Sequence, residues 1–181
     1  MQLNTITLQN IRSYVDTTFN FPEGTTLLSG DIGTGKSTIL LAIEFALFGI
    51  TKDITGAGLL RNGTSRGTVE LGFTIGNKSI SIQRKLKRGN SVTQDAGTLI
   101  VDGVKKERTA TELKQDILTL LNYPQELLTK KSLVYRYTVY TPQEEMKQIL
   151  LGNKDQRLDT LRRVFGIDKY KRVTNNITLF V

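Results

Sequence analysis

The chain has 181 residues, 38% of them hydrophobic, which is enough for one globular domain with a core, or a domain plus an appendage. It has no Cys and no His, which excludes disulfides, thiolate or imidazole zinc sites, and acid–base or triad chemistry built on histidine. A net charge of +8 favours an anionic partner, nucleic acid first, against the plainer reading of a solubilising surface. No apolar run approaches the roughly 18 residues of a membrane span, and the N-terminus opens on a strand pattern rather than a signal peptide, so the expected location is inside the cell.

In chain order, Leu3, Ile6, Leu8 and Ile11 alternate closely enough for a strand. Arg12-Ser13-Tyr14 is a polar break, and Val15 to Phe21 reads as a second strand closed by the turn Pro22-Glu23-Gly24. Thr25 to Ser29 reads as a buried strand. Gly30 to Ser37 then fits G-x-x-x-x-G-K-[ST], and Lys36 to Phe48 is an apolar helix stopped by Gly49. This strand–loop–helix setting is what a phosphate-binding loop requires. Gly30, Gly33 and Gly35 let backbone N–H groups converge on phosphate oxygens, and the helix start adds partial positive charge. Lys36 supplies a mobile cation, and Ser37 a hydroxyl for Mg²⁺. Asp31, Ile32, Thr34 and Thr38 complete the candidate ATP-binding stretch.

Residues 51–66 read as loop with one helical turn around Leu59 and Leu60. Val69 to Ile75 and Ile80 to Leu86 form a hairpin about Gly76-Asn77, and Thr98 to Val104 is a short strand ending at Asp102-Gly103. Thr109-x-x-Glu112 is a capping box for a helix to about Asn122, stopped by Tyr123-Pro124. A short helix at 124–129, a strand at 132–140 and a helix opened by Thr141-Pro142-Gln143-Glu144 follow. Arg157 to Phe165 is a basic amphipathic helix, with a further helix capped by Asp168. The composition shift at Asn153 suggests a lobe over 1–152 and a helical segment over 153–181.

Hydrolysis also needs an acidic residue at the end of a second buried strand. Asp102, after Leu99-Ile100-Val101, is the candidate, but it sits beside a Gly turn with no following Glu and reads better as a hairpin end. The missing half of the machinery is therefore expected from another segment or chain.

Leu8-Gln9-Asn10-Ile11-Arg12-Ser13-Tyr14 resembles the first strand and arginine turn of chromosome-maintenance ABC ATPases. Tyr140 to Glu144 is similar to their glutamine loop, and Leu161 to Tyr170 to the lead-in to a long coiled coil. Together with the phosphate loop, these resemble the N-terminal half of the ATPase head of the SbcC and Rad-fifty type of double-strand-break repair ATPase. The likeness covers nearly the whole chain. Ile32 departs from the Asn often found there, which leaves the backbone cradle intact.

The resemblance implies an α/β fold: an ABC-type lobe with a mixed sheet around the phosphate-loop helix, an antiparallel β-subdomain and a coiled-coil root. It implies an ATPase, incomplete without its C-terminal lobe, using ATP and Mg²⁺. Lys36 would hold the β- and γ-phosphates, Ser37 and Gln143 the metal, and Arg12 and Ser13 would approach the phosphates; Lys36 and Gln143 carry the catalytic roles. Implied partners are the C-terminal lobe, a second head across an ATP-sandwiched dimer, a nuclease of the Mre-eleven or SbcD type, and double-stranded DNA bound without sequence preference, in the cytoplasm or nucleoid of a prokaryote, with no membrane. Candidate DNA contacts are Arg84, Lys85, Lys87, Arg88, Lys105, Lys106 and Arg108, with a second basic cluster at Arg162, Arg163, Lys169, Lys171 and Arg172. Alternatives are the head of another chromosome-maintenance ATPase of the cohesin type, a P-loop phosphotransferase, and a DNA-binding module with a vestigial loop.

Overall fold

A computed structural model describes residues 1–51, 54–122 and 151–164, and single residues 167, 170, 173 and 177, except for the side chains of residues 156, 160, 161, 163 and 164. The chain divides into two units, Met1–Leu128 and Thr129–Val181; the compositional boundary at residue 152 lies inside the second.

In the first unit the alternating patterns become strands β1 (Gln2–Ile11), β2 (Tyr14–Asn20), β3 (Arg66–Ile75), β4 (Lys78–Arg88), β5 (Val92–Gln94), β6 (Gly97–Val101) and β7 (Val104–Arg108). They make one sheet in the order β2-β1-β3-β4-β6-β7, with β5 also on β4, and every ladder among them is antiparallel. The three-residue steps from Leu3 to Ile6 and from Leu8 to Ile11 have local causes. A register shift lies between Leu3 and Thr5, and Asn10 is left-handed at φ 54°. Both keep the apolar set on one face, where Ile6, Leu8 and Ile11 are buried with Val69, Leu71, Phe73, Ile80, Ile82 and Leu99.

Helix α1 (Lys36–Phe48) lies on that face against β1, β3 and β4. Its C-terminal half is apolar almost all round, as a helix enclosed by protein must be, and Ala42 to Phe48 are buried without a break. Gly49, at φ 75°, stops it, its N–H donating to Phe45 O at 2.8 Å. A short helix α2 (Gly56–Leu59) occupies the expected helical turn, and the chain after it bridges to β1 at Ile11–Leu60. Helix α3 (Ala110–Leu120) buries Leu113, Ile117 and Leu118.

The α3 capping box forms as its sequence predicts. Glu112 N donates to Thr109 Oγ1 at 3.4 Å, and the Glu112 carboxylate accepts from Thr109 N at 2.9 Å. That hydrogen bonding holds the Glu112 carboxyl below the ordinary carboxylate range. A depressed folded pKa stabilises above the unfolded value and is lost as pH falls through the folded one. The melting temperature of Glu112→Gln should therefore lie slightly below wild type at pH 7 and meet it as falling pH protonates Glu112, as followed by circular dichroism.

Two expectations need correction. Thr25 to Ser29 is no buried strand: it joins no ladder among the described residues, and Leu27 is 86% exposed. Among the described residues no strand lies beside it to supply hydrogen bonds, and a single strand has no stability of its own. Val104 does not end a strand but begins β7, because Asp102 (φ 49°) and Gly103 (φ 83°) reverse the chain. Asp102 Oδ1 accepts from Ser79 N at 2.9 Å, so this carboxylate ties its turn to the start of β4.

In the second unit, α4 (Lys154–Val164) forms where a basic amphipathic helix is expected, with Arg162 paired to Asp159 at 3.2 Å. Of its expected apolar stripe Leu158 is partly exposed; the Leu161 side chain and Phe165 lie outside the described residues, as do the elements expected over 124–150. No described helix is long and apolar enough to cross a membrane.

Candidate nucleotide site

The loop Gly30–Ser37 takes the shape its glycines permit. Gly30, Gly33 and Gly35 all have positive φ, at 144°, 86° and 97°, a region that side chains with a Cβ avoid. Gly35 is the N-cap of α1, no side chain caps that end, and no acid lies in the first turn. The open N–H groups and dipole of α1 therefore face the loop uncompensated, an arrangement suited to an anion.

Lys36 is folded back into the loop. Its Nζ donates to Asp31 O at 2.6 Å, Gly30 O at 2.7 Å and Thr34 Oγ1 at 3.3 Å. The Thr34 hydroxyl in turn donates to Asp31 O at 2.9 Å. The ammonium thus gathers the rim of the loop around itself, holding a place that phosphate oxygens would take. Ser37 is exposed at the first turn, and Ile32 is fully exposed. Thr38 is buried, and its N–H closes the turn on Gly35 O at 2.9 Å.

The β1–β2 turn forms a second wall. A Cβ placed on Gly35 would lie 2.6 Å from Ser13 Oγ and 2.9 Å from Tyr14 Oη. Tyr14 was read from sequence as part of a polar break. It opens β2, its ring meets Phe19 edge to face at 5.4 Å, and burial pushes its phenol up. No spacing rule singles it out; its place follows from the sharp reversal at Arg12, whose φ is 47°. Arg61, also missed from sequence, pins that reversal. Its Nη1 donates to Arg12 O at 2.9 Å and Ser13 O at 3.0 Å. Arg12 itself points to α2, Nε donating to Gly58 O at 2.7 Å. Gly35→Ala is expected to destabilise by about 1–3 kcal/mol through strain at positive φ and to weaken ATP binding, read from thermal melts and nucleotide titration.

The basic residues sort by burial. Arg84 must be withdrawn as a DNA contact: it is 0% exposed. It alternates onto the core face of β4 with Ile82 and Leu86, and its guanidinium donates to Ala46 O (2.7 Å) and Leu47 O (3.1 Å) at the end of α1 and to Ala110 O (3.4 Å). Lys85, Lys87 and Arg88 are exposed on β4, and Lys105 and Lys106 on the edge strand β7, where charge also discourages edge pairing. Arg108 is half-buried and paired with Asp116 at 2.9 Å. Gln143 lies outside the described residues, as do Lys169, Lys171, Arg172 and the Arg163 side chain. Among the described residues no group of three acids or other ligands is placed to hold a metal.

Comparison with known proteins gives a consistent picture. A family described as "AAA domain" matches residues 5–177. The DNA double-strand break repair Rad50 ATPase of Methanococcus maripaludis is 27% identical over 99% of this chain and 17% of its own length. That of Methanosarcina acetivorans is 28% identical over 96% and 16%. The chain thus spans about one sixth of these relatives. Among solved structures, the recombination mediator protein RecF superposes with a TM-score of 0.51 at 17% identity, over 94% of this chain and 54% of that one, a likeness of fold. With a glycine-built phosphate loop ahead of α1 and a family match over nearly its whole length, the chain belongs to the AAA-domain family of ATPases.

Proposed function

We propose that this chain is the ATP-binding lobe of a DNA double-strand-break repair ATPase whose heads close in pairs on ATP and Mg²⁺ and govern DNA access to a partner nuclease. One observation carries the reading: Lys36, held by the carbonyls of Gly30 and Asp31 in a loop of left-handed glycines, at a helix start with neither cap nor acid. The loop fits a triphosphate. Lys36 would meet the terminal phosphates, the backbone of Gly33 and Gly35 would supply donors, and the exposed Ser37 hydroxyl would ligand Mg²⁺, joined by Gln143. Bound Mg²⁺ would neutralise charge on the phosphates. Ser13 and Tyr14 close the side over Gly35, and Arg12 would turn from Gly58 O toward the phosphates.

Asp102, spent on Ser79 N at the start of β4, is unsuited to position water. The acidic strand and the signature loop would come from the C-terminal lobe and the second head. Lys85, Lys87, Lys105 and Lys106 supply exposed charge for DNA, which implies work at the nucleoid. The test is a pull-down of the C-terminal lobe by this chain, with and without ATP and Mg²⁺, followed by a phosphate-release assay. Negligible turnover alone and turnover in the reconstituted pair is the expected result. Robust hydrolysis by the isolated chain, or no association, would overturn it.

A further inference from the structure

The turn that walls the phosphate loop is held in a conformation its own residues disfavour. Asn10 and Arg12 both lie at positive φ, 54° and 47°, where a side chain with a Cβ is strained. Such a backbone persists only where its surroundings over-determine it. Here the surroundings are the chain from Gly58 to Ser65. Arg12 N donates to Leu59 O at 2.9 Å, Arg61 N donates to Asn10 O at 3.0 Å, and Ile11 bridges to Leu60. The half-buried Arg61 then donates from Nη1 to both Arg12 O and Ser13 O, at 2.9 and 3.0 Å. Gly67 lets the strand end come this close, since a Cβ there would lie 2.9 Å from Asn10 O.

The bracing segment is itself braced from β4. Arg88 N donates to Ser65 O at 2.8 Å, its Nε to Thr64 O at 3.0 Å, and its Nη2 to Arg61 O at 3.4 Å. The same Arg61 carbonyl accepts the Thr64 hydroxyl at 2.8 Å. Each guanidinium is turned to backbone carbonyls, so the two act in series, from the end of β4 to the turn. The turn in its own right leads to Gly35, which Ser13 Oγ and Tyr14 Oη approach.

We propose that Arg61, backed by Arg88, is a positioning residue of the nucleotide site. It fixes the backbone of Arg12 and Ser13 so that Ser13 and Tyr14 stand over Gly35 before a triphosphate arrives. The inference rests on the nucleotide reading above and deepens it. A wall fixed in advance needs no ordering when the ligand binds, which raises affinity without adding a contact. It also lets the Arg12 side chain leave Gly58 O while the backbone behind it stays in place.

The test is isothermal titration of the 181-residue chain with ATP and Mg²⁺, with thermal melts to confirm that each variant folds. Arg61→Gln should weaken binding about tenfold and Arg88→Gln about threefold, the scale of one or two lost supporting hydrogen bonds. Arg88→Gln should add nothing to Arg61→Gln, because it acts through the same segment. Arg61→Gln combined with Ser13→Ala should weaken binding by less than the product of the separate effects, because Arg61 acts through the turn that carries Ser13. Multiplicative effects would mean that Arg61 touches the ligand itself and would overturn the positioning role. Lys78→Gln removes an exposed charge at the far end of β4 and should leave ATP affinity unchanged. An equal loss from Lys78→Gln and Arg88→Gln would mean general charge attraction and overturn the brace. Unchanged ATP affinity in a folded Arg61→Gln variant would overturn the inference and leave nucleotide binding standing. No ATP binding by wild type would overturn both.

Discussion

Lys36→Ala is expected to abolish useful ATP binding while leaving the fold in place. Wild-type Lys36 makes three hydrogen bonds, all inside an exposed loop. Its loss should therefore shift stability by no more than about 1 kcal/mol. Toward a triphosphate the same ammonium supplies charge-assisted bonds worth about 1.5–3 kcal/mol each. Losing one or two of these weakens binding about a hundredfold, since each 1.4 kcal/mol is tenfold. Isothermal titration with ATP and Mg²⁺, beside a thermal melt of the apo protein, separates the two effects. Unchanged affinity in a folded variant would place the nucleotide elsewhere.

The second large effect is on stability. Arg84→Met is expected to destabilise the first unit by about 3 kcal/mol, a fall in melting temperature on the order of 10 °C. The guanidinium satisfies the carbonyls of Ala46 and Leu47, among the last four of α1, which have no partner within the helix. Methionine fills much of the volume but leaves those oxygens buried and unpaired. Removing the desolvated cation offsets part of that loss, which is why the estimate is no larger. Arg84→Lys should fall between, because one ammonium on a shorter stem serves fewer carbonyls. Burial lowers the Arg84 pKa to about 10, below the ordinary arginine value. The unfolded chain therefore holds the proton more tightly only once the pH passes about 10, and stability gains with pH only there. From pH 6 to 9 the destabilisation by Arg84→Met should be constant. A melting temperature within 2 °C of wild type would mean that α1 ends are satisfied some other way.

These cases mark how far the sequence could be read. The shape of the loop Gly30–Ser37 was legible because glycine spacing reports backbone directly, and Gly30, Gly33 and Gly35 all have positive φ. The β3–β4 hairpin and the α3 capping box were legible because their signals are local: alternation, the Gly76-Asn77 turn, and Thr109 with Glu112; the return strand β7 was not, because the charged run Lys105-Lys106-Glu107-Arg108 carries no apolar alternation. Arg84 was misassigned because it sits among Lys85, Lys87 and Arg88 in a run of charge. Only strand alternation, counted from Ile80 and Ile82, turns it inward, and an arginine there defeats a hydropathy reading. Thr25–Ser29 was misread because apolar residues imply burial only where a partner exists to bury them. Arg61 and Tyr14 left no pattern at all; their roles arise from contacts with residues distant in the chain.

The pairing of β1 with β3 has a consequence for how the molecule assembles. The β3–β4 and β6–β7 hairpins close over two-residue turns and need little chain entropy, whereas zipping β1 onto β3 encircles the phosphate loop, α1 and α2 in a single large ring. Closing that ring costs more chain entropy than either hairpin, so a ligand held only by the closed ring would act as a latch on the β1–β3 seam.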